Sequence, residues 1–177
     1  MICEPIKDEK IVREFMEVLA TKKNGFVYSL YFEFALSTGL RVSDILSLRK
    51  KDVKEGIVRI KTSKTQLNRN IALNDACRKK MEVYLTTKKE HEIIFPFGRT
   101  YVHKLLKWAA DQIGYDQTIV STHTTRKTAG WFLYLDSGKD LVKTQKFLGH
   151  RDPKETITYL MINDDEVNQT LIKRAWS

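Results

Sequence analysis

Residues 26–44 read FVYSLYFEFALSTGLRVSD, and their pattern decides the fold. From Phe26 to Leu36 the stretch is almost wholly apolar, which marks a helix buried on its sides rather than one lying on a surface. Gly39 ends it, because glycine accepts the left-handed backbone with which helices commonly stop. Ser29, Glu33 and Ser37 keep the apolar run short of the roughly 18 residues that a membrane helix needs. A short helix is expected next, from about Val42 to Leu48.

Outward from this stretch the pattern stays mostly helical. Asp8 can cap a helix that carries Ile11, Phe15 and Leu19 on one face. Asn74 or Asp75 caps another with Cys77, Met81 and Leu85, and Thr100 opens a third through Val102, Leu106 and Ile113 that stops at Gly114. Further helices are expected from about His123 to Leu135 and from Leu141 to Leu148. Asp152, Pro153 and Glu155 form a compact helix start, which sets Tyr159 on a short helix. A last amphipathic segment, about Asp165 to Trp176, is expected to cover apolar surface with Leu171, Ile172 and Trp176, on this domain or a neighbouring protomer.

Only between Gly56 and Asn74 does the period fall to two, with Val58 and Ile60 on one strand and Ile71 and Leu73 on a second. The fold class is therefore mainly α with a small β-hairpin (α+β). With 177 residues and neither a repeat nor a Pro/Gly/Ser-rich linker, the chain reads as one domain over 1–177.

Lys and Arg outnumber Asp and Glu by 31 to 22, a net charge of +9 that suits a polyanionic partner. Cys3 and Cys77 form no disulfide framework and Met1 is followed by polar, charged sequence, so reduced thiols and a cytoplasmic location are expected. The sequence has no phosphate-binding Gly-x-x-x-x-Gly-Lys-Ser/Thr loop, no His-Glu-x-x-His and no paired-cysteine site, so neither cofactor nor metal is expected.

Breaking a phosphodiester by transesterification needs a nucleophile, cations that hold the phosphate oxygens, and an acid for the departing 5′ oxygen. The chain presents such groups in order: Arg41 in Thr38-Gly39-Leu40-Arg41-Val42-Ser43-Asp44, Lys64 in Ser63-Lys64-Thr65, His123-Thr124-Thr125-Arg126, Leu148-Gly149-His150, and Tyr159 in Thr158-Tyr159-Leu160. Each alone has an ordinary reading: a surface arginine, a solvated basic loop, a histidine near helix-end carbonyls, a half-buried tyrosine.

Together these motifs resemble those of the tyrosine recombinase family, the phage-integrase type of site-specific recombinase, over almost the whole chain. The segment Thr38 to Leu46 is similar to the family's first-arginine box, and the step from His150 to Tyr159 matches its usual spacing. The resemblance departs at Thr125, where an apolar residue is frequent, and at Lys127, where a histidine is.

The resemblance implies a tyrosine-recombinase catalytic-domain fold, with Arg41, Lys64, His123, Arg126, His150 and Tyr159 as catalytic residues. In this reading Arg41 and Arg126 grip the scissile phosphate and Asp44 orients the Arg41 guanidinium. Lys64 protonates the leaving oxygen, with Lys61 as runner-up. His123 takes the tyrosine proton, a role for a group titrating near neutrality, and His150 donates to the phosphate. A free phenol ionises near pH 10, so two arginines, a lysine and two histidines would favour phenolate.

Lys61, Arg69, Lys127 and Arg151 are expected to contact DNA. The implied partners are double-stranded DNA target sites, with four protomers on two duplexes during exchange and a monomer free in solution. Longer family members carry an N-terminal DNA-clamping domain, and this chain starts almost directly at the catalytic one, as an excised domain or a naturally short recombinase. Two alternatives use the same residues: a type IB topoisomerase, which rejoins the same strand, and a catalytically silent DNA-binding module.

Overall fold

In the computed structural model, residues 3–162 are described, together with 168 and 172 individually. Apart from 168 and 172 the expected terminal segment, with Leu171 and Trp176, lies outside these residues, and Ile172, expected to cover apolar surface, is exposed.

Helix α1 is Glu9–Ala20, and its N-cap Asp8 accepts from the backbone N–H of Lys10, relieving one of the donors a helix start leaves unpaired. Helix α2, Gly25–Thr38, is the buried helix at the centre, with Leu30, Tyr31, Phe32, Phe34 and Ala35 all sealed from solvent. Its charged Glu33 is tolerated because Lys80 Nζ lies 2.7 Å away. Gly39 ends α2 at φ 57, and a Cβ there would stand 2.5 Å from the Phe147 ring, so the position demands glycine on two counts.

After α3, Val42–Ser47, the chain forms β1, Val53–Lys54, β2, Ile57–Lys61, and β3, Asn68–Ala72. The expected hairpin is thus two strands of a three-stranded antiparallel sheet in the order β1-β2-β3, with Val58 opposite Ile71 and Lys61 opposite Asn68. A two-residue strand such as β1 is too short to display a period.

Helix α4, Asp75–Thr86, is capped by Asn74, whose side chain accepts from Cys77 N–H. Helix α5, Arg99–Gln112, starts one residue before the expected Thr100, behind Gly98. Then follow α6, Thr124–Asp136, α7, Leu141–Leu148, and α8, Pro153–Leu160, the last capped by Asp152 with proline at its start.

Aromatic rings hold the helices to α2. Phe15 of α1 stacks on Phe32 with centroids 5.4 Å apart, while Phe95 meets Tyr31 edge-on at 5.4 Å and Phe34 at 5.5 Å. Each such side chain, fully buried, contributes on the order of 1.5–3 kcal/mol. Among the described residues no helix is long and apolar enough to cross a membrane. The core ends α2, α7 and the sheet's turn side by side, and the chemistry-bearing residues sit there.

Candidate functional site

Arg126 is the keystone of the site. It lies in the first turn of α6 and is 1% exposed, the largest fully buried side chain of the described residues. Its guanidinium donates to the carbonyls of Gly39 and Leu148, tying the end of α2 to the end of α7. Burial, and then the nearby Arg41, pull its pKa down to about 10, which still leaves it charged at neutral pH. Its Nε is buried without a hydrogen-bond partner.

Arg41 occupies the N-cap position of α3, two residues after the Gly39 turn, with extended backbone and a half-buried side chain. His123 occupies the corresponding position of α6. No side chain caps α6; ahead of it Ser121 Oγ accepts the N–H of His123, and Thr124 Oγ1 accepts the N–H of Ser121. That hydroxyl pair fixes the loop carrying the imidazole. Burial lowers the His123 pKa first, and Arg99, Arg126, Arg41 and Lys127 lower it further, so the ring is neutral near pH 7.

His150 follows Gly149, whose φ of 63 turns the chain out of α7. Its Nδ1 lies 3.0 Å from Thr156 Oγ1. Burial, then Arg126, Arg41 and Lys64, push its pKa down to about 4. In the tautomer in which Thr156 Oγ1 donates to Nδ1, the neutral ring carries its proton on Nε2.

Tyr159 is half-buried on α8. Its ring meets the His150 ring edge-on at 4.8 Å and has the cations of Lys127 and Arg126 at 5.2 and 5.8 Å from its centroid. Its Oη lies 3.4 Å from His123 Nδ1, a long hydrogen bond of the kind that tightens when substrate binds.

Arg41, Lys64, His123, His150 and Tyr159 line one cavity of about 560 Å³, joined by Arg99, and Arg126 is buried behind them. Lys64 is exposed on the turn between β2 and β3. All six residues expected to be catalytic are brought together. Among the described residues no group of three or more His, Cys, Asp or Glu side chains is placed to hold a metal ion.

The expected supporting contacts are rearranged. Asp44 does not orient Arg41: its Oδ1 accepts the N–H of Ser63 at 2.9 Å and its Oδ2 is buried without a partner, because the hairpin turn folds over the start of α3. Lys127, expected on DNA, turns inward, its Nζ 2.7 Å from the Cys3 carbonyl oxygen and 3.6 Å from Met161 Sδ. Arg69, also expected on DNA, is partly buried and donates to the carbonyl of Phe147. Arg151 is exposed, yet its guanidinium donates to the carbonyl of Thr65 at 3.0 Å. Lys61 is exposed on β2, where an approaching phosphate can meet it.

Two contributors were not among the expected residues. Arg99 opens α5 and has no motif around it to single it out. Thr156 stands three residues before Tyr159, one helical turn away, and that spacing is a usable signal.

The model of the Phage integrase family matches residues 7–166. A probable integrase/recombinase of Bacillus subtilis, YoeC, is 31% identical over 172 residues, covering 93% of this chain and 92% of that protein. The tyrosine recombinase XerA of Saccharolobus solfataricus is 27% identical over 146 residues, but this chain spans 49% of its length. Among solved structures, XerH site-specific recombinase bound to palindromic difH substrate in a post-cleavage complex has the same fold. It superposes with a TM-score of 0.76 at 18% identity, over 98% of this chain and 54% of that one.

Proposed function

We propose, from the premise that this chain belongs to the phage integrase family, that it is a site-specific DNA recombinase catalytic domain whose nucleophile is Tyr159. The observation that carries the proposal is the 3.4 Å approach of Tyr159 Oη to a neutral His123 inside a cavity that also holds Arg41, Lys64 and His150.

The scissile phosphate enters that cavity. Arg41 and Arg126 present guanidinium N–H groups to its nonbridging oxygens, and His150 donates from Nε2 to the same group. His123 Nδ1 takes the phenolic proton as Tyr159 Oη bonds to phosphorus. The bond from phosphorus to the 5′ oxygen breaks, and Lys64 Nζ gives that oxygen a proton. A 3′-phosphotyrosyl link and a free 5′ hydroxyl result. The 5′ hydroxyl of a partner duplex reverses the step, and the ester bond energy is conserved throughout.

The substrate is double-stranded DNA, approached by a chain of net charge +9. Exchange between two duplexes requires four cuts, and we assign them to four protomers acting on the nucleoid in the cytoplasm. The test is covalent trapping on genomic DNA followed by sequencing of the joined ends. DNA attached through Tyr159 at a recurring sequence is expected. Absence of any adduct, or an adduct that survives replacement of Tyr159, overturns the proposal.

A further inference from the structure

Lys64 stands on a six-residue turn, 62–67, that is mostly exposed. The turn shapes itself: Thr62 N–H donates to the Leu67 carbonyl and Gln66 N–H to the Thr62 carbonyl, each at 2.9 Å, while the Thr62 and Thr65 hydroxyls meet at 2.8 Å. None of these bonds aims the turn at the cavity. Two others do, one on each side of Lys64. Asp44 holds the N–H of Ser63 from α3, and Arg151 holds the carbonyl of Thr65 from the loop that follows His150. Arg69 closes the same seam in the opposite direction, reaching from β3 to the carbonyl of Phe147 at the end of α7.

We propose that Arg151 is a positioning residue for Lys64, fixing the turn so that the ammonium group reaches the departing 5′ oxygen. The inference rests on reading Lys64 as the general acid. A lysine side chain is long and flexible, so its reach is governed by where its backbone is held. General acid catalysis requires the donor within hydrogen-bond distance of the leaving atom. Arg151 contributes no proton; its exposed guanidinium is committed to a main-chain oxygen rather than to the cavity. Placing this anchor beside His150 also couples the two sides of the phosphate site, since the segment that presents one donor to the phosphate holds the turn that presents the acid.

The test uses the whole chain and a nicked suicide duplex carrying the sequence joined to Tyr159 in the trapping experiment. It is made with the natural 5′ oxygen or with sulfur at that bridging position. A thiolate leaves without a proton, so the sulfur duplex bypasses the acid. Arg151→Ser is expected to slow single-turnover cleavage of the oxygen duplex about tenfold at saturating DNA, the effect of a slightly misplaced acid. Its affinity for the duplex stays unchanged, and it cleaves the sulfur duplex at the wild-type rate. Arg151→Lys, which keeps one donor, recovers most of the loss.

Lys64→Met is the control and should also be restored by sulfur. If Lys64→Met is not restored, the assignment of Lys64 fails and takes this inference with it. If Lys64→Met is restored and Arg151→Ser is not, the inference alone fails. Weaker binding with normal cleavage at saturation overturns it too, by making Arg151 a phosphate contact.

Discussion

Tyr159 Oη and His123 Nδ1 face each other across 3.4 Å from different helices, one inside α8 and the other at the start of α6. Replacing Tyr159 by Phe deletes one oxygen and leaves the ring against His150. We expect no covalent adduct on a denaturing gel and a urea-unfolding free energy within about 1 kcal/mol of wild type, the worth of one hydrogen bond. An adduct formed by this variant would place the nucleophile elsewhere.

The two site arginines should separate by what they hold. Arg126→Ala leaves the Gly39 and Leu148 carbonyls without their donor in the interior, so it should cost roughly 3 kcal/mol of stability as well as all activity. Arg41→Ala, at a half-buried helix start, should stay within about 1 kcal/mol of wild-type stability while cleavage falls on the order of a hundredfold or more. Equal losses of stability in urea melts would refute the division.

Stability should decline in mild acid through His150. Its folded pKa, about 4, lies below the ordinary value of 6.5, so the unfolded chain binds the proton more readily. The contribution is full above about pH 6.5, is lost as pH falls below that value, and is spent near pH 4; the shift corresponds to about 3 kcal/mol. His123 acts in the same direction. Melting temperatures from pH 7.5 to 4.5 should fall more steeply for wild type than for His150→Gln. Parallel profiles would show that His150 is not the group responsible.

Of the four residues expected on DNA, Lys61 is exposed on β2. Lys61→Ala should weaken binding evenly across sequences and reduce the slope of log affinity against log salt by about one, as loss of a phosphate contact requires. An unchanged slope in a salt titration would remove Lys61 from the DNA surface.

Much of this architecture is legible in the sequence, for physical reasons that differ by element. Helix α7 spans Leu141–Leu148 as expected because its start and stop are written in local side chains, Asp140 accepting from Lys143 N–H and Gly149 in the left-handed region. The six candidate catalytic residues are recognisable only together, through the family resemblance of their order and spacing. Asp44 was misread because its partner was sought one turn away, whereas Ser63 comes from a hairpin 19 residues on. The main-chain contacts of Lys127, Arg69 and Arg151 were not legible for a related reason. Each donates to a main-chain carbonyl, of Cys3, Phe147 and Thr65, and such an acceptor leaves no mark on residue type.

The same feature bears on how this protein can change over time. Every residue but proline offers the same N–H and every residue the same C=O, so drift in side-chain identity at Leu148 or Thr65 leaves the receiving oxygens in place. A shift in chain length does not. One residue inserted between α7 and α8, or within the turn that carries Lys64, would move the oxygen out from under its arginine. Lineages of this domain should therefore tolerate many exchanges around the site and very few insertions or deletions.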